Sequence, residues 1–216
     1  MNAAAAPAYG LLETARAGAY TLPEGFGGFS ADLELCLGGS WHQGRVAARS
    51  PKDIELHLAV GGAEPSPEDL LEWPRRELAS MLAHRSPRPF AQGEGQYPMR
   101  LTAEGPLGTR VELEDPLRSA LWVQEGKVRL VERNLPASSF RIHLHAYAQA
   151  GAKHLPAHFT VTHRRADGSL EAVESFADAY AEVEGVWLPE RRQVVRHDER
   201  GLSVRELRLS RHRLLG

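Results

Sequence analysis

The sequence predicts a mainly β fold of the α+β class: a large curved antiparallel sheet or half-barrel, with one or two helices packed on its concave face. Three observations predict it. Apolar and polar residues alternate from Phe29 almost to the C-terminus, the period of strands with one face on a core and the other in water. Turn signals such as Gly38-Gly39, Glu125-Gly126 and Asp167-Gly168 separate the alternating runs at hairpin spacing. Helical spacing is confined to a short stretch near the N-terminus and a longer one after the third strand.

The elements follow in order. Residues 1–10 form a soft Ala/Pro tract, expected to be flexible; without a basic segment or a long apolar run it does not read as a signal peptide. Leu11, Leu12 and Ala15 share a face of a helix over 11–19, and Pro23 with three glycines ends it before Phe29. Ala31, Leu33, Leu35 and Leu37 make the apolar face of the first strand, with Asp32 and Glu34 between them. Strands over 40–48 and 54–60 complete a meander through the turn at Ser50-Pro51-Lys52-Asp53. Ser66 is then an N-cap, Pro67 a first helical residue, and Glu68 and Asp69 the acidic first turn of the main helix. Leu70, Leu71, Leu78, Met81 and Leu82 recur at helical spacing; Pro74, lacking an amide donor, must kink or restart this helix. It ends near His84-Arg85, two cations suited to its final carbonyls. Strands resume over 99–103, 108–113, 121–124, 127–133, 140–147, 157–164, 170–181, 191–197 and 202–212. No internal repeat or linker divides the chain, so residues 1–216 read as one domain.

Composition narrows the function classes. A net charge of −2 argues against a nucleic-acid coat or a polybasic membrane anchor. Lys52, Lys127 and Lys153 are the only lysines among 26 basic residues, a bias read as genomic rather than as phosphate recognition. The lone Cys36 excludes an internal disulfide and reads as a buried, inert thiol. No apolar stretch is long enough to span a bilayer, and a soluble cytoplasmic protein is expected.

Chemistry is sparsely signalled. His143 and His145, at i and i+2 of a strand, point to one face, and His154, His158 or His163 from the next strand could complete a metal site, His158 being the candidate chosen; the alternative is a solvated sheet face. No HExxH helix, GxSxG elbow or phosphate loop occurs, and Glu112 with Glu114 reads as a wet strand face. Residues 190–216 hold eight arginines against four acids, the pattern of an edge strand guarded by positive charge. Trp73, Trp122, Tyr147 and Trp187 are the aromatics that would line a ligand hollow if the sheet curves without being filled; otherwise they are core.

Several runs resemble a family of uncharacterised proteins, known chiefly from cyanobacteria and plant plastids and classed as a domain of unknown function. They are 17–21 with 26–32, His84-Arg85 with Phe90, Leu155-Pro156-Ala157-His158-Phe159, and Tyr180 through Gly185-Val186-Trp187-Leu188-Pro189. The resemblance spans almost the whole chain and implies one soluble domain, with no activity or catalytic residue to carry over. Gly44-Arg45-Val46, Pro51 and Trp187-Leu188-Pro189 also resemble the fold of bacterial lipoprotein carriers, an unclosed barrel capped by helices that holds acyl chains. This chain departs from those carriers in lacking an export signal, and a shared fold does not transfer function.

The function expected from all this is unknown in detail. It is best read as a non-enzymatic binding protein, with no cofactor, holding an apolar or amphipathic small molecule such as a lipid. The alternatives are a metal-dependent enzyme using the strand histidine pair and a protein–protein interaction module. A hollow filled by Leu70, Leu78, Leu82 and neighbouring aromatics would count against the binding reading.

Overall fold

A computed structural model describes residues 6–59 and 67–216, with side chains of the second stretch described from Leu70 onward. Helix α1 (Ala6–Gly18) precedes a meander of β1 (Phe29–Leu37), β2 (Ser40–Ser50) and β3 (Asp53–Leu58). Helix α2 (Pro67–Ala83) and two 3-10 turns (Phe90–Gln92, Glu94–Gln96) lead to β4 (Met99–Gly105), β5 (Gly108–Leu113), β6 (Ala120–Gln124) and β7 (Lys127–Asn134). The long strands β8 (Ser138–Ala150), β9 (Lys153–Arg165), β10 (Leu170–Val183), β11 (Val186–Asp198) and β12 (Gly201–Leu214) follow. All twelve join one antiparallel sheet in the order β3-β2-β1-β12-β11-β10-β9-β8-β7-β6-β5-β4. The sheet is not closed: β3 and β4 are its edges.

Four local expectations change. The arginine-rich β12 is not an edge strand but lies between β1 and β11. Its register aligns Leu33 with Leu209 and Leu35 with Leu207, and sets Glu34 opposite Arg208, so apolar and opposite-charge pairs both favour an interior position. Cys36 is not buried: it sits on the half-exposed parity of β1 with Ser30, Asp32 and Glu34, while Leu35 and Leu37 face the core. Pro74 does not restart α2, which runs unbroken from Pro67 to Ala83 with Trp73, Pro74 and Leu78 buried. The tract expected to be soft is helical from Ala6 onward, with Ala8 buried. Residues 1–5, the Ser66 cap, the acidic first-turn side chains and the end of the third strand at Val60 lie outside the described residues.

The chain forms two compact units that interleave in sequence. The first comprises Met1–Tyr20, Arg88–Phe176 and Arg196–Leu202. Here Ala8, Leu12 and Ala15 of α1 pack on Met99, Val111, Leu113, Leu121, Val123, Val128, Val131 and Leu144. Arg16 donates two 2.6 Å hydrogen bonds to Glu94, and Lys153 donates to the Ala17 carbonyl, a cation at the helix C-terminus. Burial would raise the Glu94 carboxyl, but Arg16 and then Arg133 outweigh it and hold it below its usual range.

The second unit comprises Thr21–Pro87, Ala177–Val195 and Ser203–Gly216. Its core joins Phe29, Leu33, Leu35, Leu207 and Leu209 of the sheet with Leu70, Trp73, Leu78, Met81 and Leu82 of α2, all buried. Gly28 enters β1 at φ +107°, where a Cβ would strike the Ala48 carbonyl and lie 2.6 Å from the Arg49 Cα, both backbone and unable to yield cheaply. Strain and overlap together predict that Gly28→Ala lowers unfolding free energy by about 2–4 kcal/mol, read as a shifted urea midpoint at unchanged slope.

Candidate functional site

In the first unit α1 packs mainly on β4, β6 and β7, and the same sheet face continues onto β8 and β9. β8 and β9, each 13 residues, run about 43 Å at ~3.3 Å per residue. α1, also 13 residues, covers about 20 Å at ~1.5 Å per residue. Phe140, Ile142 and Phe159 on this face are half-buried. Phe159 stacks on Phe176 with centroids 4.5 Å apart and planes 7° from parallel, and Phe159, Ile142 and Tyr147 abut the α1 core. One end of the platform is polar. His163 Nε2 lies 3.0 Å from Glu174, Arg196 donates to Glu174 at 2.9 Å and to Asp198 at 2.8 Å, and the Phe140 ring leans on His163. The His163 hydrogen bond, then Arg196 against partial burial, holds the Glu174 carboxyl below its usual range.

The second unit buries a charged cluster between α2 and the sheet. Arg192 of β11 donates to both oxygens of Asp178 on β10, at 2.8 and 2.6 Å, and reaches Glu77 of α2 at 3.1 Å. The Tyr180 hydroxyl donates to Asp178 at 3.2 Å and accepts from Arg85 at 2.7 Å. Arg85 also donates to the Met81 carbonyl at 3.0 Å, so it serves the α2 C-terminus as its position predicts. Burial lowers the Arg85 pKa and raises that of Tyr180, while for Arg192 burial is outweighed by Asp178 and then Glu77.

On the opposite face of the second unit, Glu206 accepts from Arg191 at 2.8 and 3.0 Å, from Arg208 at 2.6 Å and from Gln193 at 2.9 Å. The Arg191 hydrogen bonds, reinforced by Arg208 and Gln193 against burial, bring its carboxyl down to about 2. An unfolded glutamate titrates near ~4.3. A depressed folded pKa stabilises above the unfolded value, so this contribution is full above ~4.3 and disappears as pH falls towards 2. With both arginines part-exposed and screened, it amounts to about 1–2 kcal/mol. Glu206→Gln should therefore flatten the acid limb of a stability-against-pH curve across that window.

The structure brings only some of the sequence-predicted residues together. His143 and His145 face each other with ring centroids 4.3 Å apart, and His145 is 2.9 Å from the Thr160 hydroxyl. Partial burial, then the neighbouring His145, lowers the His143 pKa. His158, exposed, sits on β9 opposite Ala146. Among the described residues no three His, Cys, Asp or Glu side chains gather as a metal ion requires. Trp73 is 4% exposed inside the second unit, with the Arg205 guanidinium 5.9 Å above its ring. Trp122 lies on the polar parity of β6, between buried Leu121 and Val123, and its indole N–H donates to Glu132 at 3.2 Å. Tyr147 donates its hydroxyl to the Val128 carbonyl and meets His154 edge-on at 4.8 Å; burial pushes its pKa up to about 12. Trp187 is half-buried on β11.

Sequence reasoning missed the buried cluster. Asp178, Tyr180 and Arg192 occupy the parity that alternation assigns to the core, and a charge on a core parity was the available signal. It also missed the polar hollow of ≈ 270 Å³ bounded by Arg110, Glu112, Arg118, Ser119 and Asn134 in the first unit.

Among the described residues no helix is long and apolar enough to cross a membrane. No curated protein matches the sequence significantly. Among solved structures the chain is similar to a domain described as outer membrane lipoprotein-sorting, from Vibrio parahaemolyticus. That likeness has 12% identity and a TM-score of 0.39, covering 97% of this chain and 93% of that one. A DUF1329 family protein from Desulfovibrio piger is similar at 11% identity and a TM-score of 0.39, covering 98% and 93%. Likenesses this distant carry no functional argument. The sequence match is of another kind, since one family model covers residues 3–215, nearly the whole chain: the protein is a member of DUF3386, a family of proteins of unknown function.

Proposed function

We propose that the chain is a non-enzymatic binding protein for an apolar or amphipathic small molecule, a lipid among the candidates. The Phe159–Phe176 stack carries this reading: it lies on the sheet face that carries α1, on strands beyond β4, β6 and β7, beside half-buried Ile142 and Phe140. A flat aromatic floor next to aliphatic side chains suits an acyl chain or a fused ring, and the polar His163–Glu174–Arg196 end suits a wet headgroup. Tyr147, the one predicted ligand aromatic packed against the same core cluster, belongs with this platform. The space beneath α2 in the second unit is a different matter, because Leu70, Leu78 and Leu82 are buried there as core.

Native and denaturing mass spectra of protein purified without heat or organic solvent test the proposal. An added mass of a few hundred daltons that is lost on denaturation is the expected result. Nile red, a neutral dye, should brighten on the wild-type protein and lose most of that response in Phe159→Asp. Agreement between the two spectra, with a dye response indifferent to Phe159→Asp, would overturn it.

A further inference from the structure

The hollow of ≈ 270 Å³ in the first unit is lined in part by Arg110 and Glu112. These residues flank Val111 of β5, which packs with α1, so they rise from the opposite sheet face. The volume falls just short of the ~300 Å³ at which pockets for drug-sized ligands begin, so it suits a ligand of a few carbons.

The wall carries donors that the protein leaves unused among the described residues. Arg110 commits Nε to Glu132 at 3.1 Å and Nη1 to Thr102 at 3.0 Å and to Glu112, which leaves Nη2 free. Asn134 spends one amide hydrogen on the Arg118 carbonyl at 3.1 Å and keeps the other. The exposed Arg118 side chain has no ion pair, hydrogen bond or ring contact among the described residues. It stands there at a cost, since its φ of +46° is a conformation that suits glycine or asparagine. The loop holds it in place: the Arg118 N–H donates to the Asp115 carbonyl at 3.0 Å, and Ser119 donates to the Asp115 carboxylate through its amide at 2.8 Å and its hydroxyl at 2.5 Å.

Charge on this face is in surplus. Arg100, Arg110 and Arg141 share two carboxylates, Glu112 and Glu132, and Arg118 adds a fourth cation. Asp115 belongs to a separate, balanced group in which it and Glu94 meet Arg16 and Arg133. Exposed Glu114, just past β5, does not line the hollow, and counting it still leaves the face positive.

We infer that this hollow is a second binding site, for the phosphate monoester of a small polyol such as a sugar. Such a phosphate carries close to two negative charges and three acceptor oxygens at neutral pH, which match the surplus charge and the free donors of Arg110, Arg118 and Asn134. The Glu112 carboxylate and the Asn134 side-chain oxygen, in the same wall, are acceptors for polyol hydroxyls. This site does not rest on the aromatic platform and stands or falls separately from it.

The test titrates the whole protein at neutral pH and low salt with glucose 6-phosphate, glucose, sodium gluconate and sodium phosphate, followed by the arginine Nε and Asn134 side-chain amide signals in proton–nitrogen NMR. Glucose 6-phosphate is expected to shift the Asn134 amide and two arginine Nε signals saturably, with an affinity that falls as sodium chloride is added. Glucose should shift none of them, and gluconate and inorganic phosphate should bind at least roughly tenfold more weakly. Arg118→Asn removes the cation at a backbone conformation that asparagine tolerates. It should weaken glucose 6-phosphate by roughly ten- to hundredfold while the urea midpoint stays level or rises. The absence of a saturable shift with glucose 6-phosphate would overturn the site, as would an unchanged affinity in Arg118→Asn. Gluconate binding as tight as glucose 6-phosphate would overturn the phosphate class, and inorganic phosphate binding as tight would overturn the polyol. Glucose binding as tight would overturn the anion. A urea midpoint that falls together with the affinity would overturn the role of Arg118. The wild-type titrations decide the site and its ligand class even if Arg118→Asn fails to fold.

Discussion

Asp178→Ala should cost about 3–5 kcal/mol of unfolding free energy, among the largest single-residue losses in the chain. Asp178 receives two charge-assisted hydrogen bonds from Arg192 and one from Tyr180, all in the buried interior of the second unit. Truncating it removes the carboxylate that both of these Arg192 hydrogen bonds and the Tyr180 hydroxyl meet. The loss comes mainly from taking an anion away from a buried cation, not from a large net value of the ion pair. Arg192→Met should cost a comparable amount, since it sets Asp178 and Glu77 in the interior without their common cation. The double variant should lose clearly less than the sum of the two, with a coupling of about 1–3 kcal/mol. Urea denaturation of the four proteins in this cycle checks the expectation, and strictly additive losses would show that the three charges do not act as one group.

Trp73→Ala should likewise cost about 3–5 kcal/mol, the loss expected when a large buried aromatic leaves a cavity in a core. Trp73 is 4% exposed in a core with Leu70, Leu78, Met81 and Leu82, and the Arg205 guanidinium lies 5.9 Å above its ring. Trp73→Phe should recover much of the loss, because the volume deficit shrinks. A residue lining a ligand hollow behaves otherwise: its truncation leaves stability nearly unchanged and reduces ligand binding. Urea midpoints and Nile red titrations on the same two variants separate these roles, and the fold predicts that stability moves while the dye response does not.

The strands were legible because their alternation is physical bookkeeping for one dry face. Leu33, Leu35, Ile54 and Leu56 all lie buried on the parity the sequence implies. Their turns were legible for an equally local reason: Gly38-Gly39 and Glu125-Gly126 adopt positive φ at both positions, the conformation that matches the twist of a tight hairpin. The neighbours of β12 were not legible. Hairpin logic pairs each strand with the next in sequence, whereas β1 and β12 meet across most of the chain's length. Cys36 was misplaced by one position, and a period of two turns a shift of one residue into a change of face. Pro74 was read from local hydrogen bonding alone, while burial of Trp73, Pro74 and Leu78 holds α2 together through it.

The candidate sites show the same division. Their residue types stand openly in the sequence, yet the order along the chain keeps Glu77 and Arg85 far from Asp178 and Arg192. Phe159 and Phe176 are likewise ordinary strand aromatics until adjacent strands stack them. By itself the sequence determined the element types, the faces of the strands and the positions of the hairpins, because these follow from steric and solvation preferences within a few residues. Only the tertiary structure decided which strand is interior and which charges are buried together, because those depend on contacts between segments that local preference does not constrain.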